Sequence, residues 1–307
     1  DVIIACQQER QRFEELAVEL EVETPAFVHL RDRAGWGEGN VSPKIAAVVA
    51  EAGLSAITGQ MGKSIDIISE GTCLIISGPS GVDAVMQAAT DLCETLAVTV
   101  LVSNAEHVPI DRRFDCVVGS VRNATGALGG FTLKIDGLQK IIVGGRGEFN
   151  LTPPQDGAAS QCDIIVDLSG QNPMFPAHEK RDGYLRADPT HAPSVAKAVF
   201  AASQMIGTFE KPLYVRLEES LCAHKRAEQP ACSNCINVCP TGAILSAGEH
   251  VTIDPMICAG CGSCAAVCPS GAISYDAPPV DTLFRRLSTL ASTYTQAGGE
   301  NPRLLVH

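Results

Sequence analysis

Short apolar runs alternate with amphipathic segments along most of the chain. Residues 73–76 and 98–102 consist mainly of β-branched and aliphatic side chains, and they have the length of buried strands. Between them, residues 82–96 repeat apolar side chains at helical spacing. Earlier in the chain, Ser42-Pro43 offers an N-cap and a first-turn proline to a helix that is predicted to stop at Gly53. Because strands and helices alternate in this order, the pattern predicts an α/β fold.

The segment 72–102 contains a strand, a glycine-containing loop, a helix and a second strand. A dinucleotide-binding unit begins with this order of elements. Its phosphate-binding fingerprint is broken, because a Gly-x-Gly-x-x-Gly motif starting at Gly78 would need glycine where Ser80 and Asp83 stand. The second strand also ends in Ser103-Asn104 and lacks the acid that binds a ribose. We therefore predict a Rossmann-like, dinucleotide-binding-type scaffold that has lost flavin binding, with FAD as the disfavoured alternative.

Eight of the thirteen cysteines lie in two consecutive runs, each preceded by a predicted strand, at 213–217 and 251–254. The runs are Cys222-x9-Cys232-x2-Cys235-x3-Cys239-Pro240 and Cys258-x2-Cys261-x2-Cys264-x3-Cys268-Pro269. Iron–sulfur clusters prefer thiolate ligands, and the second run has the spacing of the bacterial iron–sulfur motif. The duplication of the run predicts two [4Fe–4S] clusters.

We expect each cluster to take three cysteines from one run and the fourth from the other. The cysteine before proline is expected to begin a helix that leads away, so that it reaches the other cluster. The predicted ligands are Cys222, Cys232, Cys235 and Cys268 for cluster 1, and Cys258, Cys261, Cys264 and Cys239 for cluster 2. Cys222 is the least secure of them, because nine residues separate it from the next cysteine. His224, within that spacer, is the alternative ligand.

Zinc and disulfides are the alternative uses of these cysteines. Zinc sites also contain Cys-x2-Cys pairs, but they do not require two runs of three plus one cysteines that each end in Cys-Pro. Disulfide frameworks belong to short secreted chains, whereas this chain has 307 residues and no recognisable signal peptide. Both alternatives are therefore disfavoured.

The charge and the apolar content of the chain argue against several classes of function. The formal net charge is −12 and the isoelectric point is about 5.0, which argues against binding to nucleic acid or to an anionic membrane surface. The chain has no apolar run of the roughly eighteen residues that a membrane-spanning helix needs, so no membrane insertion is expected. Unpaired cysteines fit a reducing cytosol, so a cytoplasmic location is expected. Because the chain starts at Asp1 without an initiator methionine, we expect a fragment of a longer protein.

Other motifs are weaker. Gly62-Lys63-Ser64 is typical of the end of a phosphate-binding loop, but that motif needs glycine at position 57, which is isoleucine. The charged stretch 178–181 is either a docking face or, in the favoured interpretation, a solvated loop. Four further cysteines fall in or beside predicted strands and a helix, where core packing is the favoured role. They are Cys73, Cys93, Cys116 and Cys162.

Residues 213–277 resemble two-cluster bacterial ferredoxins through the cysteine runs given above. A looser resemblance, to the A subunit of heterodisulfide reductase, rests on residues 2–6, 27–32 with Trp36, 126–135, 182–187 and 193–206. The chain departs from that family at Gly130, where the family has asparagine. In that family the cysteine matching Cys6 is thought to bind a further cluster together with cysteines upstream. A core cysteine at a strand end is the other interpretation of Cys6.

We predict four segments along the chain. They are an N-terminal α/β segment at 1–67, a Rossmann-like domain at 68–212, a small α+β two-cluster ferredoxin domain at 213–277, and a helix with the start of a further segment at 278–307. The resemblances imply an electron-transfer component of a larger cytoplasmic redox system, such as formate dehydrogenase or heterodisulfide reductase. Its partners would then be redox proteins that donate and accept electrons.

No catalytic residues stand out in the sequence, so whether the chain is an enzyme on its own stays open. Two further hypotheses belong to other classes of function. One is a flavin-dependent oxidoreductase that resembles the A subunit of heterodisulfide reductase. The other is an assembly protein whose clusters are structural.

Overall fold

The computed structural model describes residues 2–35, 39–57, 63–109, 111, 113–142, 150–226 and 229–303, without the side chains of 55–57, 225–226 and 229–230. Trp36 and most of the rejected phosphate-loop motif lie outside the described residues. Internal contacts divide the chain into two compact units, one made of residues 1–63 and 275–307 and the other of residues 64–274. The finer division at 68, 213 and 278 stays a prediction.

Strands and helices alternate at first, and short strands dominate later. The strands are β1 (Ile3–Ile4), β2 (Ala26–Phe27), β3 (Ser64–Ser69), β4 (Thr72–Ser77), β5 (Ala97–Val102), β6 (Asp115–Thr125), β7 (Phe131–Ile142), β8 (Asn150–Leu151), β9 (Ala158–Cys162), β10 (Ile164–Leu168), β11 (Tyr184–Arg186), β12 (Gly207–Pro212), β13 (Val215–Leu217), β14 (Lys225–Arg226), β15 (Gln229–Pro230), β16 (Ile244–Ala247), β17 (His250–Ile253) and β18 (Ile273–Tyr275). The α-helices are α1 (Arg10–Glu19), α2 (Ser42–Ile57), α3 (Val82–Leu92), α4 (Ala192–Ser203), α5 (Asn234–Val238), α6 (Ser263–Val267) and α7 (Val280–Gln296).

The larger unit contains an eight-stranded mixed sheet in the order β11-β10-β4-β5-β6-β7-β8, with β9 paired to β7. The strands from β11 to β6 run parallel, and β7 is antiparallel to β6. The chain therefore starts in the middle of the sheet at β4, adds β5 and β6 on one side, and returns later to add β10 and β11 on the other. As a result, the carboxyl ends of β4 and β10 lie side by side, with Ser77 opposite Leu168. This mixed sheet with helices fits the predicted α/β fold.

Strands β4 and β10 are almost entirely buried, because both faces of the sheet are covered. On one face, Ile75 and Val166 belong to a core that includes Leu92 of α3 and apolar side chains of α4. On the other face, Ile165 belongs to a core that includes Phe131 of β7. This burial explains why these strands are continuous apolar runs, without the alternation of a half-exposed sheet.

The second part of the larger unit repeats one pattern of elements. The elements β13, α5 and β16 are followed by β17, α6 and β18. Strand β13 pairs with β18, and β16 pairs antiparallel with β17, so the last strand of the second repeat returns to the first strand of the first. The short helices α5 and α6 pack against each other. Their shared core consists of Ile244, Val251 and Ile273 together with cysteine side chains.

Two helices of the smaller unit test the sequence predictions directly. The sequence after Pro278-Pro279 predicts a helix at 280–296, and helix α7 spans Val280–Gln296. Helix α2 begins at Ser42 as predicted, but it passes through Gly53 and ends at Ile57. The prediction that this helix stops at Gly53 is therefore wrong, because a single glycine weakens a helix by only about 1 kcal/mol and does not end it.

A buried carboxylate joins the elements of the smaller unit. Glu51 on α2 accepts a hydrogen bond of 2.7 Å from Nη1 of Arg33 and another from Nε of Arg286 on α7. Only 2% of the Glu51 side chain is exposed, while both arginines are close to half-exposed. Burial alone would raise the pKa of Glu51, but the hydrogen bonds and charges of the two guanidinium groups hold that pKa below its ordinary value of 4.5. The carboxylate is therefore charged at neutral pH.

We expect Glu51→Gln to destabilise the smaller unit by about 2 kcal/mol at pH 7, less than the roughly 3–5 kcal/mol of a fully buried broken pair, because both arginines reach solvent. Since the folded-state pKa is depressed, the stabilisation is present above pH 4.5 and is lost as the pH falls through the folded-state pKa. Urea unfolding followed by circular dichroism checks this. The control is Glu14→Gln, which breaks an exposed pair with Arg10. An equal shift for both variants would contradict the prediction.

Candidate metal centre

The repeat places equivalent cysteines in equivalent backbone positions. Cys235 in α5 and Cys264 in α6 are both buried. Cys239 and Cys268 follow these helices with nearly identical extended backbones, at φ −71° and ψ 110° for Cys239 and φ −73° and ψ 109° for Cys268. A following proline disfavours helical backbone at the residue before it, which accounts for this conformation. The expectation that the cysteine before proline begins a helix is therefore wrong, because each of these cysteines ends one.

Two cavities between the repeats are lined by cysteine side chains. The residues of cavity 1 include Cys222, Cys232, Cys235 and Cys268. The residues of cavity 2 include Cys239, Cys258, Cys261 and Cys264. These are the two sets that the sequence assigns to clusters 1 and 2, including the exchange of the fourth cysteine between the runs. All eight are free thiols. Their role as ligands stays a prediction.

A β-hairpin explains how Cys222 reaches cavity 1 across its long spacer. Strands β14 and β15 pair antiparallel, with Lys225 opposite Pro230. At the base of the hairpin, the carbonyl oxygen of His224 accepts hydrogen bonds from the backbone N–H of Ala231 at 2.8 Å and of Cys232 at 3.3 Å. Without residues 225–231, only two residues would separate Cys222 from Cys232, which is the spacing of the other run. The hairpin is thus an insertion into that spacing, and hydrogen bonds at its base hold its two ends together.

His224 is held by the protein through both ring nitrogens. Nδ1 lies 2.7 Å from the carbonyl oxygen of Cys232, and Nε2 lies 2.7 Å from Oγ of Ser246. The side chain is 7% exposed. A metal-ligating histidine needs one nitrogen free for the metal, so this arrangement disfavours His224 as a substitute for Cys222. Its position suits it to fix the base of the hairpin.

Hydroxyl groups accompany three of the cysteines, each two residues further along the chain. Ser263 lies 3.5 Å from the sulfur of Cys261, Thr241 lies 3.7 Å from Cys239, and Ser270 lies 3.7 Å from Cys268. Hydrogen bonds from the hydroxyl and backbone N–H of Ser263 lower the pKa of Cys261. For Cys268, burial raises the pKa, but hydrogen bonds that include the Ile273 N–H and the Ser270 hydroxyl outweigh it and lower the pKa. These donors favour the thiolate that an iron ligand requires.

Burial is the main influence on the pKa values of three further cysteines in the cavities. Burial raises the pKa of Cys235 and Cys258, and it raises that of Cys264 to about 11. In the described part of the chain, no group of three or more His, Cys, Asp or Glu side chains is arranged around a single point where one metal ion would sit. A tetrahedral zinc site brings its sulfur ligands to about 2.3 Å from one ion, whereas each thiolate of a cubane binds a different iron. Each cavity is lined by four cysteines, which is the number that one cubane requires.

The broken dinucleotide loop is packed against neighbouring loops. A Cβ added to Gly78 would overlap the carbonyl oxygen of Ser169, and one added to Gly81 would overlap the ring of Pro189. Gly81 has φ +82°, which favours glycine, and Asp83 lies in the first turn of α3. The loop is therefore closely packed against its neighbours, and an acid stands at the helix end that would face a bound pyrophosphate. Absence of flavin stays a prediction.

The remaining cysteines lie apart from the two cavities. Burial raises the pKa of Cys73 and Cys162 to about 12 and that of Cys116 to about 11. Cys93 is half-buried and donates a hydrogen bond to the carbonyl oxygen of Thr90. Buried thiols with such pKa values are unreactive, which fits the favoured role in core packing.

One residue near the cavities differs from the sequence prediction. The stretch 178–181 is not wholly a solvated loop, because Arg181 is only 7% exposed. Its Nη1 donates to the carbonyl oxygen of Gly126 at 3.2 Å, and its Nη2 donates to that of Thr241 at 2.9 Å. Nothing in the sequence distinguishes this arginine from its charged neighbours, since its partners lie 55 and 60 residues away.

A model of the 4Fe–4S dicluster domain matches residues 230–272. The matched segment includes seven of the eight cysteines that line the cavities, and Cys222 precedes it. This match supports a ferredoxin-type domain with iron–sulfur clusters. A comparison with curated proteins gave no match. Among the helices that the structure describes, none has the length and apolar character needed to cross a membrane.

We expect removal of the hairpin, by deletion of residues 225–231, to leave both cavities able to bind iron. The deletion restores a two-residue spacer between Cys222 and Cys232, so about eight irons per chain should remain after anaerobic purification. Iron and labile sulfide assays check this. Cys222→Ser is the matched control and should lower the iron content of the same preparation. Loss of cluster 1 in the deletion variant would show that the hairpin is needed for ligand geometry.

Proposed function

We propose that the chain is an iron–sulfur electron-transfer protein, or a subunit with that role, in which two [4Fe–4S] clusters relay single electrons. The observation that carries the proposal is that each cavity is lined by four cysteines, three from one run and one from the other. The match to the 4Fe–4S dicluster domain over residues 230–272 supports the same conclusion. The proposed ligands are Cys222, Cys232, Cys235 and Cys268 in cavity 1, and Cys258, Cys261, Cys264 and Cys239 in cavity 2.

The chain's own residues would hold and tune these clusters. A bound [4Fe–4S] cluster supplies one-electron chemistry at a potential set by its surroundings. Apolar side chains line both cavities, among them Val251 and Ile273 in cavity 1 and Val215 and Ile253 in cavity 2, and they would limit the contact of bound clusters with water. Cys261 itself is exposed. Once iron binding has deprotonated the cysteines, the hydroxyls beside three of them would donate hydrogen bonds to the thiolates, which would stabilise the more negative, reduced state.

The rest of the larger unit would serve as the scaffold for this module. The parallel strands follow the order β6-β5-β4-β10-β11, which is the 3-2-1-4-5 arrangement of dinucleotide-binding domains. This order supports a Rossmann-like domain at 68–212 beside a ferredoxin domain at 213–277, and it agrees with the looser resemblance to the A subunit of heterodisulfide reductase. The altered glycine loop supports a scaffold without FAD. A flavin-dependent oxidoreductase remains the alternative, favoured by the strand order alone.

The partners in this proposal are redox proteins, one that donates electrons and one that accepts them. The net charge of −12 would favour docking to basic surfaces on such proteins. A larger cytoplasmic redox system, of the formate dehydrogenase or heterodisulfide reductase kind, is the setting that we propose. In it the chain would be an electron-transfer component and not the site of substrate chemistry.

Anaerobic purification with iron, sulfide and flavin assays tests the proposal. We expect about eight irons and about eight sulfides per chain and no flavin. Electron paramagnetic resonance after reduction with dithionite should show two interacting reduced clusters. Finding one or two metal ions per chain and no labile sulfide would favour zinc sites over clusters and refute the proposal. Flavin that survives desalting would favour the alternative oxidoreductase.

Hydrogen bonds to the sulfurs give a second test. Ser263→Ala removes the hydroxyl beside Cys261 in cavity 2, and Ser270→Ala removes the one beside Cys268 in cavity 1. We expect each variant to lower the reduction potential of one cluster by about 40 mV, since a hydrogen bond contributes about 1 kcal/mol. Redox titration followed by electron paramagnetic resonance measures both potentials. If both variants lower the same potential, the assignment of Cys261 and Cys268 to different clusters is wrong.

A further inference from the structure

Arg181 is a buried cation that joins the scaffold to the cysteine-rich module. It lies in the segment between β10 and β11, and only 7% of it is exposed. Its guanidinium carbon lies 4.7 Å from the centre of the Phe175 ring. Its two hydrogen bonds reach carbonyl oxygens on both sides, Gly126 between β6 and β7 and Thr241 in the module. The position is therefore fixed from three directions.

Carboxylates, first Asp254 and then Asp182, act on the positive charge of Arg181 from beyond ion-pair distance. Both of its hydrogen-bond acceptors are neutral carbonyl groups, and its Nε has no partner among the described atoms. Within the residues that the structure describes, no carboxylate lies at ion-pair distance from it, although Asp182 and Asp254 act on it from further away. Burial lowers the pKa of Arg181, but a guanidinium starts so high that it keeps its proton at any physiological pH.

This charge acts on cavity 2. Thr241, whose carbonyl oxygen accepts from Arg181, lines cavity 2, and its hydroxyl lies 3.7 Å from the sulfur of Cys239. A second buried cation acts on the same side. Lys211 donates from Nζ to the carbonyl oxygen of Met256 at 2.7 Å, two residues before Cys258, and also to the carboxylate of Asp182. Asp182 is half-exposed, so solvent screens it more than it screens the lysine.

Among the residues described around cavity 1, a set that leaves out the side chains of Lys225 and Arg226, there is no arginine or lysine. His224 is held there by hydrogen bonds at both ring nitrogens. The cysteines before proline therefore have nearly identical backbones in the two cavities, while the charges described around the cavities differ. A positive charge in a medium of low dielectric constant stabilises whichever neighbouring group gains an electron.

We propose that the buried charge of Arg181 gives the cluster in cavity 2 a higher reduction potential than the cluster in cavity 1. Arg181 would act through its charge, without touching the cluster. The inference rests on the proposed function, because it concerns the two clusters of that proposal. An electron supplied by a redox-protein donor would pass between the two clusters without any bond forming or breaking, and it would reside mainly on the cluster held in cavity 2.

Redox titration of the whole chain, followed by electron paramagnetic resonance, tests the inference. Arg181→Gln removes the charge, and Arg181→Lys keeps it while losing the two-armed hydrogen bonding. We expect Arg181→Gln to lower the higher of the two potentials by about 59 mV, a tenfold change for a one-electron couple, and to leave the lower potential in place. Arg181→Lys should restore most of the difference. Arg122→Gln, which removes an exposed arginine paired with Asp136 on the sheet, is the control and should change neither potential.

Ser263→Ala provides a test that leaves Arg181 intact, in case Arg181→Gln fails to fold. Ser263 lies beside a cysteine of cavity 2, so Ser263→Ala should decrease the higher of the two potentials. Ser270 lies beside a cysteine of cavity 1, so Ser270→Ala should decrease the other potential. If Ser263→Ala decreases the less positive potential and Ser270→Ala the more positive one, the inference is overturned. It is also overturned if Arg181→Gln binds both clusters and leaves both potentials unchanged. Neither result contradicts the proposed function. A wild-type protein without labile sulfide overturns the proposed function and the inference together.

Discussion

The constraint on which the module depends is that each set of four thiols must come from both halves of the repeat. Cys268 completes cavity 1 and Cys239 completes cavity 2, so neither half can form a site alone. The pairing of β13 with β18 and of β16 with β17 provides the exchange, because it interleaves the two halves. Since thiolate ligands release protons and become fixed when they bind metal, cluster binding and folding of this module are coupled.

The sequence predicts the features that depend on local spacing. The cysteine runs alone predict which four cysteines line one cavity, and the stretch after Pro278-Pro279 predicts α7 from Val280 to Gln296. Features that depend on distant partners are not predictable in this way. The ribbon of β3 and β12 pairs Ser64 with Pro212, and neither strand shows its partner in its own sequence. The burial of Arg181 and the closure of the hairpin at His224 also depend on contacts that spacing does not encode.

The α/β scaffold contributes more than support to the module. Arg181 and Lys211 both come from segments before the first cysteine run, and both donate to backbone carbonyls within two residues of a cysteine of cavity 2. A free-standing module of residues 213–277 would lack these two charges. Fusion to the scaffold would therefore add to the difference between two similar sites. The repeat itself supplies a smaller difference, because hydroxyls accompany two cysteines of cavity 2 but only one described cysteine of cavity 1.

Because of the hairpin at residues 225–231, the spacer between Cys222 and Cys232 can be long while both cysteines still line the same cavity. The base of the hairpin is closed by hydrogen bonds to the carbonyl oxygen of His224, so residues inserted beyond that base are expected to leave the path from Cys222 to cavity 1 unchanged. The entropic cost of lengthening such a loop is small, about 0.6 kcal/mol for each doubling. This position is therefore suited to grafting, because a fluorescent reporter or an affinity peptide would lie beside cavity 1 while Cys222 and Cys232 keep their relative positions.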